Sequence, residues 1–560
     1  MNPSFEHRAP LYGTLACVCC LAFFYLLDRA LFSSAHFSPI FQFLLTVYDT
    51  QTAWASVAVC LLALTWRNPA PFTRLAGAVG SRPVLGSLIA VPFLAAASRF
   101  IYRAYPLCMD EYAAVFQAKL FAAGRLFAQV PANLLDWFVI RGFNGMFLIG
   151  SPVSGRVIEG YWPGFALLLA PFQWLGVPWL CNPVLSAMSL WLIHRVAVEL
   201  GGEKIAGGWA LLFAIASGAF FVDGISFYSM QAHLAANLLY AWLLFTPTPR
   251  RALAAGVVGS FALVLHNPFP HALFAVPWLV GLLVSPRDRR QLPWLILGYL
   301  PILLFIGGGW FWLRSSLASS MPVSASASAL VKGVFGLPTL DVLNMRSAAL
   351  AKLWVWAVPC LLLFAWDGAR GRWADSRVRR LVASAVLTFS AYLFVYVDQG
   401  HGWGYRYFHS AWGVLPVLAG CAMAARQNTA PRLVAFAGAV TVLNLLLVIP
   451  LQLHQIDGFM VRHLEQLPPP RRPGNNVYFI ETMDGFYSAD MVQFDPLLRD
   501  ADLLLARRGG GRDEALVRRN WPQARRISGG YWGDQWYLGP EDLRRPAVAG
   551  GPPVFTLKGP

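Results

Sequence analysis

The chain has 560 residues, of which 57% are hydrophobic, 14% aromatic and only 13% charged. With a mean hydropathy of +0.51, that composition excludes an ordinary soluble globular protein and points to a polytopic α-helical membrane protein. The formal charge of +16 raises nucleic acid as a partner. No contiguous basic stripe interleaved with aromatics is present, however, and the arginines sit mainly in short loops between apolar runs, so the bilayer is the partner and nucleic acid is excluded.

Apolar runs of roughly 17 to 22 residues are expected to span the membrane. The first, Tyr12 to Leu27, is followed by no cleavage-site pattern and is read as a retained span rather than a signal peptide. Further spans are expected near 51–66, 84–101, 180–199, 205–222, 232–246, 252–266, 271–285, 292–313, 349–366, 381–397, 409–425 and 432–451. These make about thirteen transmembrane helices. With the N-terminus cytoplasmic, the loops "RNPAPFTRLAGAVGSRP", "GGEK", "TPTPRR", "SPRDRRQ", "DGARGRWADSRVRR" and "RQNTAPR" all fall on the inside, as the positive-inside rule requires.

The run "GFALLLAPFQWLGV", 164–177, would reverse every later loop if it spanned. It is short and carries a proline, so it is expected to form a re-entrant or interfacial helix. The outer face then carries a long first loop (102–178), a second loop (314–348), the segment "DQGHGWGYRYFH" (398–409) and the tail from 452. In the tail, "PPPRRP" marks a linker over 452–474, and the alternating runs "NNVYFI" and "ADLLLARRG" predict a small extramembrane α/β domain over 475–560. Residues 1–83 read as two N-terminal spans with a cytoplasmic loop, and 84–451 as the main transmembrane domain.

Of the eight cysteines, Cys17, Cys19, Cys20, Cys60, Cys360 and Cys421 lie inside apolar runs, with no CxxC pairs spaced for zinc or a disulfide framework. They read as small buried hydrophobes. Cys108, beside an acid pair, is the thiol expected outside a span.

That acid pair, Asp110 and Glu111 in "YPLCMDEYAAVFQAKLFAAGRLF", opens a helical pattern in a chain otherwise poor in charge. Two readings stand. The acids cap a helix and favour its positive end, or one faces a cleft as a general base while its neighbour serves the backbone, because successive helical residues point about 100° apart. A partly desolvated carboxylate at a membrane surface suits the second role.

The segment "MDEYAAVFQAKLFAAGRLF" after a span, followed by "GRVIEGYWPGFALLLAPFQWLGVPWLCNPVLSAMSLWLIHRVAVELGG", resembles the C-type (GT-C) membrane glycosyltransferases. Within them it is similar to the group containing the protein O-mannosyltransferases and the bacterial aminoarabinose transferases. The resemblance covers about 84–250. In that group an acidic pair in the first outer loop precedes a Tyr-Pro-Pro-like turn and a membrane-surface helix. Here the acids are Asp110 and Glu111 and the turn is Tyr161-Trp162-Pro163, with Trp162 replacing the first usual proline. The resemblance implies an inverting transfer from a polyprenyl-phosphate sugar to an acceptor hydroxyl on a glycan, lipid or protein, with Asp110 taking the acceptor proton. It implies no organic cofactor, and members differ over a divalent ion, so no metal is named.

A lipid-phosphate leaving group calls for cations. "DQGHGWGYRYFHSAW" sets Asp398, His401, Arg406 and His409 among Trp403, Tyr405, Tyr407 and Trp412. Arginine offers a planar fork for phosphate oxygens, and the aromatics suit a headgroup interface. Arg406 is therefore the expected donor-phosphate contact, with His401 and Lys332 behind it. The competing reading is an aromatic belt with a snorkelling arginine. Glu159, Tyr161, Trp162, Tyr405 and Arg156 are the expected substrate contacts, although Arg141, Arg156 and Glu159 are residue types found more often as solvated loop charges than as ligands, Glu159 less so because it directly precedes the turn. His233, His266 and His271, with "HNPFPH", lack the helical spacing of a metal pair. "DGISFYSMQAH", carrying Asp223, reads as a helix-joining turn.

A transporter or flippase of a lipid-linked or saccharide substrate is the alternative class. It predicts ionisable groups within several spans, whereas the span middles here read as nearly free of charge. Five lysines among 44 basic residues, taken with the resemblance, point to a bacterial cytoplasmic (inner) membrane with a periplasmic C-terminus.

Overall fold

The computed structural model describes residues 3–30, 39–318, 335–397, 399–470, 475–482, 488–500, 502–539, 545–546 and 553–554. The expected contacts Lys332 and Asp398 lie outside the described residues. The chain divides into two compact units. The first comprises Met1–Arg103, Trp179–Leu304 and Leu330–Asp457; the second comprises Ala104–Pro178, Phe305–Ala329 and Gly458–Pro560.

The first unit is helical. Its apolar runs do form helices, but fewer are long enough to cross a bilayer than the thirteen expected. Among the described residues five helices qualify: Arg8–Leu26, Pro83–Phe100, Pro178–Gly201, Asp288–Leu317 and Pro431–Leu464. The number rises to seven if the bent pairs Lys204–Ile215 with Gly218–Ile225 (67°) and Arg406–Trp412 with Val414–Arg426 (46°) each count as one span.

The shortfall has two local causes: some runs form unbroken but short helices, Met230–Leu243, Pro249–Leu263 and Phe269–Val284, of 14, 15 and 16 residues, and others break or end early. The run expected over 349–366 is interrupted between Val355 and Leu361, where Cys360 adopts a left-handed φ of 71°. The run over 381–397 leaves the helix at Ala391. A break in an apolar environment must re-satisfy its freed backbone groups. At the 67° bend, Ser217 Oγ donates to Phe213 O (2.7 Å) and accepts from Val358 N (3.1 Å), while Ala219 N donates to Trp356 O (2.8 Å). Where helices are regular they approach closely through small residues. A Cβ on Gly256 would lie 2.2 Å from Leu295 O, so the helices Pro249–Leu263 and Leu292–Ile302 meet backbone to backbone there.

This unit buries paired ions, near or just beyond the ends of the runs expected over 51–66, 349–366 and 409–425. Lys352 Nζ lies 2.5 Å from Asp49 Oδ2, both fully buried, and Arg426 Nη2 lies 2.7 Å from Asp367 Oδ1. Asp49 also accepts from Trp356 Nε1 at 2.6 Å.

The second unit carries the strands. The hairpin β2 (Leu148–Gly150) and β3 (Arg156–Glu159), with β1 (Ala128–Gln129) on its other side, forms an antiparallel sheet of order β1-β3-β2. A second sheet has order β5-β4-β7-β6, built from β4 (Asn476–Ile480), β5 (Leu503–Ala506), β6 (Arg525–Gly530) and β7 (Gly533–Tyr537); only the β4–β5 pair is parallel. An open sheet of this kind is an extramembrane structure, because lipid cannot satisfy its edges. One apolar core joins Tyr112, Phe116, Trp137, Phe138 and Val157 of the segment 102–178 to Val477, Phe479, Phe494, Leu505 and Val517. The run 164–177 forms the helix Gly164–Trp174, 11 residues, about 16 Å long and too short to span.

Candidate active site

The acid pair opens the helix Met109–Ala122 of the second unit, as expected, and the two carboxylates have different surroundings. Glu111 is fully buried and its Oε2 accepts a 2.6 Å hydrogen bond from Leu107 N, turning back onto the chain ahead of the helix. Asp110, one position earlier and half-buried, faces away from that contact and accepts a hydrogen bond from Tyr161 Oη. The aromatic turn is therefore brought to the acid pair. Tyr161 is held in turn by its carbonyl, which accepts from Trp310 Nε1 at 2.7 Å. Trp162 packs against Ile149, Ile158, Trp310 and Leu317.

Glu159 ends β3 two residues before Tyr161. It is 1% exposed, and neither carboxylate oxygen has a hydrogen-bond partner among the described residues. Its main-chain N–H donates to the buried Gln117 Oε1 at 3.1 Å. Burial pushes its carboxyl well above the usual carboxylate range, and the nearby Arg314 guanidinium offsets only part of that. Strand alternation separates Arg156 from it: Arg156 is exposed and stacks its guanidinium 4.4 Å above the Phe127 ring. Arg141 is also exposed.

In the first unit, the segment 399–412 folds around Gln399. Its side-chain amide donates to Gly402 O (3.0 Å) and Gly404 O (2.9 Å), and its Oε1 accepts from Arg406 N (3.2 Å). Gly402 and Gly404 take φ values of +107° and +66°, open to glycine and strained for other residues. Arg406 is 6% exposed, with its guanidinium 4.5 Å from the Tyr228 ring centroid and 5.5 Å from that of Tyr407. It is a buried, caged cation and not a snorkelling one. A Cβ at Gly402 would press on Arg406 Cδ at 3.3 Å, so the glycine makes room for this side chain. His401 and Tyr405 are buried in the same segment, Tyr405 edge-on to Phe389 and Tyr392.

The reading of Asp223 as part of a joining turn is corrected here: it lies in the helix Gly218–Ile225 and is buried. Its Oδ2 is 2.8 Å from His409 Nδ1, and His409 Nε2 is 2.9 Å from Gln231 Oε1. The signal that could have found this pair is an acid and a histidine both flanked by apolar sequence, since ionisable groups there seldom lack a partner. Likewise His271 sits between Asn237 Oδ1 and Tyr299 Oη, each at 2.8 Å. No group of three or more His, Cys, Asp or Glu side chains is arranged to hold a metal ion among the described residues.

No family model and no curated protein matches the chain. Among solved structures, it is similar to ArnT from Cupriavidus metallidurans bound to undecaprenyl phosphate, with a TM-score of 0.50 and 12% identity over 83% of this chain and 99% of that one. The apo form of the same protein matches with a TM-score of 0.48 and 12% identity over 81% and 98%. At that identity the likeness is one of fold alone.

Proposed function

We propose that the chain is an inverting glycosyltransferase that moves a sugar from a polyprenyl-phosphate donor to an acceptor hydroxyl, at the outer face of a bacterial cytoplasmic membrane. The observation that carries this reading is the division of labour in the acid pair. Glu111 is engaged by the Leu107 amide, and Asp110 is presented to Tyr161 at the turn that opens the short helix Gly164–Trp174. The shared fold with a protein whose structure holds undecaprenyl phosphate supports the donor class.

In this mechanism the acceptor O–H gives its proton to the Asp110 carboxylate as the oxygen attacks the anomeric carbon. The bond from that carbon to the phosphate oxygen breaks, its electron pair leaves on the polyprenyl phosphate, and the anomeric configuration inverts. Glu159, buried with vacant acceptor oxygens beside the turn, is assigned to sugar hydroxyls, with Tyr161 and Trp162 as the walls of the sugar site. In its own unit, Arg406 is assigned to the donor phosphate, because a planar fork suits phosphate oxygens and the flanking tyrosine rings orient the guanidinium. His401 is the second contact in that role.

Release of free polyprenyl phosphate from a panel of polyprenyl-phosphate sugars tests this, in membranes carrying the native chain or Asp110→Asn with a mixed acceptor extract. Turnover by the native chain that falls by at least about 100-fold on substitution is the expected result, the scale for a general base. Undiminished turnover by Asp110→Asn removes the base assignment. Donor binding without release by the native chain favours the transporter reading, to which the buried ion pairs of the first unit would then belong.

A further inference from the structure

The helix Met109–Ala122 begins without a side-chain cap of its own. Cys108 at its N-cap position is extended (φ −137°, ψ 170°) and makes no capping hydrogen bond. The first amide groups of a helix have no partner within it and need acceptors from elsewhere. One is supplied from the far end of the sequence: Asp490 Oδ1 accepts from Met109 N at 2.8 Å, across 381 positions. Three further bonds join the same two stretches. Gln493 Nε2 donates to Pro106 O at 2.8 Å, Tyr112 Oη donates to Phe494 O at 2.6 Å, and Phe494 N donates back to Tyr112 Oη at 2.9 Å. All of these residues belong to the second unit, and Asp490, Gln493 and Tyr112 are buried.

The bonds bracket Asp110. Pro106 and Met109 lie just before it and Tyr112 just after, so the segment 490–494 holds both sides of the position from which that carboxylate projects. We infer that this segment is a positioning clamp for the acid-bearing helix start, and that Asp490 is a positioning residue for Asp110. The inference rests on the reading of Asp110 as the base and assigns the C-terminal region a part in the reaction. A small misplacement of a reacting group is enough to matter, since about 1 Å can cost on the order of 100-fold in rate.

The full-length chain is compared with Asp490→Ala and Asp490→Asn, the asparagine keeping a carbonyl oxygen able to accept from Met109 N. Two quantities are read: hydrogen exchange of the backbone amides at 107–113, against 433–442 as an internal reference, and kcat with donor KM for a polyprenyl-phosphate sugar. Asp490→Ala should exchange faster at 107–113 alone and lose on the order of 100-fold in kcat with donor KM held; Asp490→Asn should restore both. Native-like exchange in Asp490→Ala, or a kcat loss that asparagine leaves unrescued, overturns the clamp. If Asp490→Ala does not accumulate as folded protein, Tyr112→Phe, which breaks only the two Phe494 bonds, is held to the same local exchange criterion. A native chain that releases no polyprenyl phosphate from any donor refutes the glycosyltransferase reading, while the exchange comparison still decides whether the clamp exists.

Discussion

Replacing Lys352 with methionine isolates one buried charge in the first unit. Lys352 Nζ and Asp49 Oδ2 are 2.5 Å apart and both side chains are fully inaccessible. Trp356 Nε1 donates to the other Asp49 oxygen at 2.6 Å, and the Lys352 ammonium lies 5.3 Å from the Phe41 ring centroid. At that separation, with an effective dielectric of ~20, the gross attraction is about 7 kcal/mol. Desolvation costs several kcal/mol per ion, so the pair as a whole is close to neutral for stability. Removing one member takes away the attraction and leaves the other's desolvation. Lys352→Met should therefore destabilise the unit by about 3–5 kcal/mol, whereas Asp49→Leu/Lys352→Met should recover most of that loss, short by the ~1–3 kcal/mol of an indole N–H left without an acceptor. Denaturation midpoints of the purified chain in mild detergent, taken for the native protein, both single variants and the double variant, form the cycle. A double variant whose loss equals the sum of the singles would refute the reasoning, because two charges that cancel one another cannot behave independently.

The two acids of the pair should separate by the kind of damage they cause. Glu111→Ala leaves the Leu107 amide without its acceptor and should lower stability by ~1–3 kcal/mol, while turnover per folded molecule falls far less than in Asp110→Asn; equal losses of turnover would remove the distinction between them. For Glu159 the expectation is a pH dependence. A carboxyl whose folded-state pKa is raised holds its proton in the folded chain after the unfolded chain has lost it. Stability therefore declines as pH rises above the unfolded value of about 4.3 and goes on declining until the folded group ionises. Glu159→Gln should flatten that decline, measured as the denaturation midpoint between pH 5 and pH 8; identical slopes for the two proteins would show that Glu159 has a partner after all.

Much of the candidate site's local structure was legible in the sequence, because it depends on short-range patterns. A Met-Asp-Glu start to a helix, an aromatic-proline turn and an apolar run too short to span are each contained within about fifteen residues, and the structure forms all three. Which acid would fold back to the Leu107 amide and which would meet Tyr161 was not legible, since both contacts depend on how the flanking chain packs. The partner of His409 was hidden for a different reason: Asp223 sits in a separate apolar run, and nothing in either run specifies the other. The number of spans was overestimated because hydropathy registers the length of an apolar run, and neither where its helix ends nor whether it is continuous. Whether a helix breaks at Ser217 or Cys360 depends on groups such as Val358 N and Trp356 O that become neighbours only after packing.

The shared core of the second unit also sets an order of events during synthesis. Tyr112, Phe116 and Val157 leave the ribosome well ahead of the strands that cover them, β4 and β5. Chains fold from the N-terminus as they grow, yet this loop must wait for the intervening helical runs to be made before its apolar face is sealed. During that interval the loop is an exposed hydrophobic surface that holdase chaperones or the nascent bundle must protect. A ribosome that stalls before β4 would yield a chain with its helical unit in place and its acid-bearing loop uncovered, a substrate for membrane quality-control proteases. Synthesis of β4 and β5 thus serves as a checkpoint for the folding of this loop.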